Sequence, residues 1–183
     1  MFTDKLFALA VGILFLFILS CDGPISNEAE NTVALTTQKT LKNSPAFWDY
    51  AASSNMLQVE MGQLAIERGD ENLKNMAEKA IGFHSASLNK LKSIARKHTG
   101  IYLPDSLSGA DKGLVDEFEL LEGEEFDARY RAFILNSHQL QLSRYQEALP
   151  QADDEETKAW INSILTHLQQ ELNSFEQADS LQK

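Results

Sequence analysis

Four stretches of this chain carry apolar residues at helical spacing, and each is bounded by proline or glycine. The first opens on Ser44-Pro45, an N-cap followed by proline at the first helical position, and runs to Arg68, with Gly69 ending it. The second runs from Glu71 to His98 and stops before Gly100, with Leu73, Met76, Ala77, Ala80, His84, Leu88, Leu91 and Ala95 on one stripe. The third spans about Glu124 to Leu149 and is closed by Pro150; its stripe holds Phe126, Tyr130, Phe133, Ile134, His138, Tyr145 and Leu149. Asp153 with Glu156 reads as a capping box for the fourth, which reaches about Ser180 with Trp160, Ile161, Ile164, His167, Leu168, Leu172 and Phe175 inward. Between the second and third lies a long connection, in which Asp111 caps a short helix to about Leu121 and Gly123 ends it.

No run of period 2 competes with these helices. Two tight hairpins joined by one long crossover are wired as a ferritin-like bundle, because an up-down-up-down bundle needs no such length. The expected fold is therefore all-α: a ferritin-like four-helix bundle of two antiparallel hairpins, over residues 45–183. The scarcity of glycine (9) and proline (4) in 183 residues fits long helices better than a turn-rich β-sandwich.

Ahead of the bundle, Lys5 precedes an uncharged run from Leu6 to Leu19. Its length matches a signal-peptide core and falls short of the roughly 20 residues that span a bilayer. The run ends in Ile18-Leu19-Ser20-Cys21, which resembles the bacterial lipoprotein signal: an apolar residue, a variable one, a small one, then cysteine. In that class the cysteine thiol takes a diacylglyceryl group and becomes the new N-terminus. Residues 1–20 thus read as a signal peptide and Cys21 as the lipidation site. Residues 21–44 read as the lipidated cysteine and a polar, flexible tether. The expected location is the cell envelope, with the domain anchored to a bacterial membrane through its lipid. Asp22 resembles an inner-membrane retention signal in enterobacteria, a rule that does not extend to all phyla, so inner and outer membrane both stay open. Cys21 is the only cysteine, which excludes a disulfide within the chain.

The formal net charge is −11, and removing residues 1–20 leaves it unchanged, since that segment holds one Asp and one Lys. A chain this acidic repels phosphate backbones, so no nucleic-acid partner is expected. It suits metal ions, cationic partners or plain solubility without selecting among them.

Three of the four histidines fall on core-facing stripes, one on each of the last three long helices; His98 sits at a helix end beside the dipole. The first helix offers Glu60, in line with Leu57 and Leu64. A carboxylate on a core stripe is costly unless paired or metal-bound. At 1.5 Å per residue, His84 and His167 each lie ~21 Å from the turn of their own hairpin, and Glu60 and His138 lie roughly 14–17 Å from those turns. With the two turns at opposite ends of a bundle ~38 Å long, all four groups fall within about 8 Å of one level. Glu60, His84, His138 and His167 are then a candidate ligand set for one transition metal ion, Zn²⁺, Fe²⁺, Mn²⁺ or Cu²⁺. Three ligands plus an open position would leave room for water or a substrate. A metal-free buried network, with Glu60, Tyr130 or Tyr145 bonding the imidazoles, stays open beside it. Di-iron chemistry is not expected: that site needs Glu-x-x-His on two helices, and Ile81 and Ile164 stand where those glutamates would be.

These residues together resemble a family of exported bacterial proteins known as domain of unknown function 4142, members of which are labelled outer-membrane protein or lipoprotein. The matching stretches are Phe47-Trp48, Ala51-Ala52 and Val59-Glu60-Met61-Gly62-Gln63-Leu64-Ala65. Further on they are Ala77 through His84 to Leu88 and Leu91, Gly123-Glu124-Glu125-Phe126-Asp127 with Tyr130, His138, and His167-Leu168. Each motif is short; their order and spacing over about residues 45–178 carry the resemblance. It implies a ferritin-like bundle in which Glu60, His84, His138 and His167 are the recurrent polar positions. The family usually has Asp before the histidine of the second helix, where this chain has Phe83, so a carboxylate orienting His84 from that position is missing. No established activity comes with the resemblance. The expected function is an envelope lipoprotein whose bundle holds one transition metal. The alternatives are a metal-free interaction module docking a protein partner, or an oxidoreductase or hydrolase using the metal.

Overall fold

In the computed structural model, which describes residues 40–180, the helices are α1 (Pro45–Arg68), α2 (Glu71–Lys97), α3 (Gly109–Phe118), α4 (Gly123–Ala148) and α5 (Glu155–Ser180). Short 3-10 turns occupy Leu41–Asn43 and Leu149–Gln151. No strand occurs among the described residues. The expected signal peptide, the expected lipidation site Cys21 and nearly all of the expected tether lie outside them.

Local chemistry sets the helix ends. Asp70 caps α2 by accepting from the Leu73 amide at 2.7 Å, and Asp154 caps α5 by accepting from the Thr157 amide at 2.8 Å. The cap of α5 is therefore Asp154, not Asp153, and Glu156 does not reach back to complete a capping box. Its carboxylate instead takes Lys90 and Lys97 of α2 at 2.6 and 2.7 Å. Ser44 makes no side-chain cap bond; the start of α1 is fixed by the Trp48 indole, which donates to the Leu41 carbonyl at 2.9 Å. The crossover helix begins two residues before Asp111, after Ser108. Gly123 opens α4 rather than ending α3, with φ at +58°, a conformation that a β-carbon would strain.

The two hairpin turns lie at opposite ends. At one end the α1–α2 turn meets the start of α4: Arg131 pairs with Asp70 at 2.8 Å, and the Asp70 amide donates to Asp127 at 3.1 Å. At the other end the α4–α5 turn meets the end of α2, through Glu156 and through His98 beside Asp154 at 3.5 Å. Both α1 with α4 and α2 with α5 therefore run antiparallel, which is the ferritin-like wiring.

Aromatic clusters fill both ends of the core. Phe47, Trp48, Tyr145 and Trp160 pack edge to face at one end. Phe118, Phe126, Tyr130 and Phe133 pack at the other. Such pairs contribute about 0.5–1.5 kcal/mol each beyond burial, so both ends are stiff. Buried Asn55, Gln58, His84 and His138 sit between them.

Candidate metal centre

Midway along the bundle, three imidazoles converge on one oxygen of one carboxylate. Oε2 of Glu171 lies 2.6 Å from Nε2 of His138, 3.1 Å from Nε2 of His167 and 3.9 Å from Nε2 of His84. The side chains of His84 and His138 are fully buried, and those of Glu171 and His167 are 14 % and 15 % exposed. His84, His138 and Glu171 bring one ligand atom each within 4.8 Å of one another. They come from α2, α4 and α5, so the centre exists only when both hairpins have closed on each other.

The histidines therefore meet as the sequence places them, but Glu60 does not join them. It is half-buried and lines a groove with Met56, Val59, Ser85, Leu88 and Asn89. The residue of α1 that reaches the centre is Asn55, five positions earlier and so about 140° around the helix from Glu60. The carboxylate comes from α5 instead. Glu171 follows Ile164 and Leu168 and precedes Phe175 at spacings of 7, 3 and 4, a core position by heptad count that the sequence itself displays.

Asn55 determines the state of His84. Its amide nitrogen donates to the Ala51 carbonyl at 2.8 Å, which turns its oxygen toward Nδ1 of His84 at 3.0 Å. An amide oxygen only accepts, so Nδ1 carries the proton and Nε2 carries a lone pair. Burial disfavours the imidazolium and pushes the His84 pKa down to about 3, although the Glu171 charge pulls the other way. The 3.9 Å approach of His84 to Glu171 is thus not an ion pair. It sets a lone pair against a carboxylate oxygen, and Nε2 of His84, fully buried, has no hydrogen-bond partner.

Glu171 is ionised. Burial opposes its charge, but contacts from His138 and then His167 outweigh it and hold the carboxyl at about 2. The His167 contact is too oblique for a hydrogen bond, so its Nε2 is also buried and unpartnered. Its ring is held by a parallel stack on Phe83, 3.5 Å between centroids and 14° between planes. Phe83, where the resemblance leads one to expect an acid, serves as a backstop for a neighbouring imidazole, while Asn55 orients His84. His138 Nδ1 lies 3.4 Å from the Ser137 hydroxyl, which also receives the Gln58 amide at 3.1 Å.

Fold and centre together define a class: a crossover-wired helical bundle with a buried histidine–carboxylate cluster at its middle. Within that class, the chain belongs to the family described as domain of unknown function DUF4142, whose profile matches residues 29–178. No curated protein and no solved structure matches it.

Proposed function

We propose that this domain binds one transition metal ion through Nε2 of His84, Nε2 of His138 and Glu171, and that a lipid on Cys21 holds it in the bacterial cell envelope. The observation that supports binding is Nε2 of His84: neutral, buried, unpartnered, and set against a charged oxygen. Two lone pairs facing each other in low dielectric are unfavourable, and a cation between them reverses the sign. A metal-free network would satisfy that nitrogen with a donor, and none reaches it: the Asn55 amide nitrogen donates to the Ala51 carbonyl, and its oxygen accepts from Nδ1 on the other side of the ring. The signal ending at Cys21 supports the anchor. Neutral imidazole and carboxylate suit Zn²⁺, Cu²⁺, Fe²⁺ or Mn²⁺.

Elemental analysis of the full chain, purified without a histidine tag, tests the binding. About one ion per chain, lost in His138→Ala, supports it; a chain that stays metal-free after dialysis against each of these ions overturns it. The anchor is tested separately with Cys21→Ser, which is expected to leave the membrane fraction and take no lipid label; unchanged membrane association sinks that part.

A further inference from the structure

The centre holds a second orphaned nitrogen, and it decides what kind of site this is. Three ligands from His84, His138 and Glu171 leave coordination positions open, the arrangement of catalytic centres; a fourth protein ligand closes the shell. Nε2 of His167 is buried and unpartnered, lies 3.1 Å from the same carboxylate oxygen, and meets it off the axis of a hydrogen bond. Its ring cannot swing away without leaving the Phe83 stack.

We infer that His167 is the fourth ligand, closing an N₃O tetrahedron around an ion of the Zn²⁺ type, so that the bundle holds its metal rather than exposing it to a substrate. This rests on the metal-binding reading above. A tetrahedral ion with bonds of about 2.0–2.1 Å spaces its ligand atoms roughly 3.4 Å apart. The approaches of the three imidazole nitrogens to Glu171, 2.6, 3.1 and 3.9 Å, bracket that spacing. His84, His138 and Glu171 already bring their ligand atoms within 4.8 Å of one another, and His167, outside that trio, turns toward it to close the shell. His167 is also the imidazole of the three that reaches toward solvent, which makes its edge of the cluster the route by which an ion enters and leaves. The phenyl ring of Phe83 covers that edge with an apolar face that supplies no proton and no competing ligand.

Cobalt(II) tests the inference, because its visible bands are intense when four-coordinate and weak when five- or six-coordinate. The full chain, stripped with a chelator, is titrated with Co²⁺ alone, and the same is done for His167→Ala after circular dichroism has confirmed its helices. The expected result is an intense four-coordinate spectrum for the wild type. His167→Ala is expected to show bands changed in position and intensity, water having replaced the imidazole, and an affinity lowered by about 100-fold, the upper end of what even loss of an orienting partner costs. A wild-type spectrum that His167→Ala leaves unchanged, intense or weak, overturns the closed shell while leaving a three-ligand site. A wild type that takes up no Co²⁺ overturns the metal-binding reading and this inference with it. Should His167→Ala fail to fold, His167→Cys keeps the inference testable: a sulfur-to-cobalt charge-transfer band in the near ultraviolet places position 167 on the ion, and its absence overturns the closed shell.

Discussion

Asn55 of α1 and His84 of α2 meet at 3.0 Å, amide oxygen to Nδ1, and this one bond fixes which imidazole nitrogen faces the middle of the bundle. Replacing Asn55 by Leu removes the acceptor and the tautomer preference with it. The expected outcome is Zn²⁺ affinity lowered about 10–100-fold, as for other orienting partners of metal-bound histidine. Competition against a chromophoric chelator measures it. Affinity equal to the wild type would mean that packing alone orients the ring.

Acid sensitivity should trace to His84. Its pKa is pushed from 6.5 to about 3 by burial, so between those values the unfolded chain takes a proton that the folded chain refuses. Stability is then fully present above pH 6.5 and is lost as pH falls toward 3. One such proton gives a slope of about 1.4 kcal/mol per pH unit. Glu171, held at about 2, adds to the loss below the ordinary carboxylate range. Urea unfolding of chelator-treated protein at pH 7, 6 and 5 should show the His84 slope, and His84→Gln should flatten it by that amount whatever its absolute stability. Parallel slopes for the two proteins would refute the assignment.

The start of α5 separates two acids that stand side by side. Asp154 accepts from both the amide and the hydroxyl of Thr157, each at 2.8 Å. Asp154→Ala should therefore cost about 1 kcal/mol, within the usual range for a lost cap, while Asp153→Ala should stay within about 0.5 kcal/mol. Thermal or urea denaturation of both variants checks the order. Equal losses would mean that the charge of the run, rather than one cap, supports the helix end.

Asp153 and Asp154 also show what the sequence displays and what it hides. Periodicity and breakers placed α1 between Pro45 and Arg68 and put three histidines on inward stripes, because the 3.6-residue repeat is a property of each segment by itself. A cap depends on a one-residue difference in where the helix starts, which the DDEE run does not encode. Glu171 is hidden in the sequence for a related reason. Polar residues are read as outward, yet its spacing from Ile164, Leu168 and Phe175 is that of a core residue. Glu60 matches the histidines by level along the bundle, but level says nothing of rotation about the helix axis, and α1 turns Asn55 rather than Glu60 toward the histidines.

α1 and α2 pack closely at Gly62. A β-carbon added there would stand 2.7 Å from Cγ1 and 3.2 Å from Cδ1 of Ile81. Alanine gains about 1 kcal/mol over glycine inside a helix, but overpacking a filled interface costs about 1–3 kcal/mol. Gly62→Ala should thus be net destabilising, and because α2 carries His84 three residues beyond Ile81, pushing the helices apart should also weaken metal binding. Truncating the obstacle reverses the balance: within an Ile81→Ala background, Gly62→Ala should be neutral or stabilising, since the β-carbon then enters vacated space and the helix propensity gain remains. A double-mutant cycle in urea reads the coupling directly. Additive effects would mean that the two helices already have room to separate, and that the position of His84 is set by the Asn55 bond and the α5 side of the core instead.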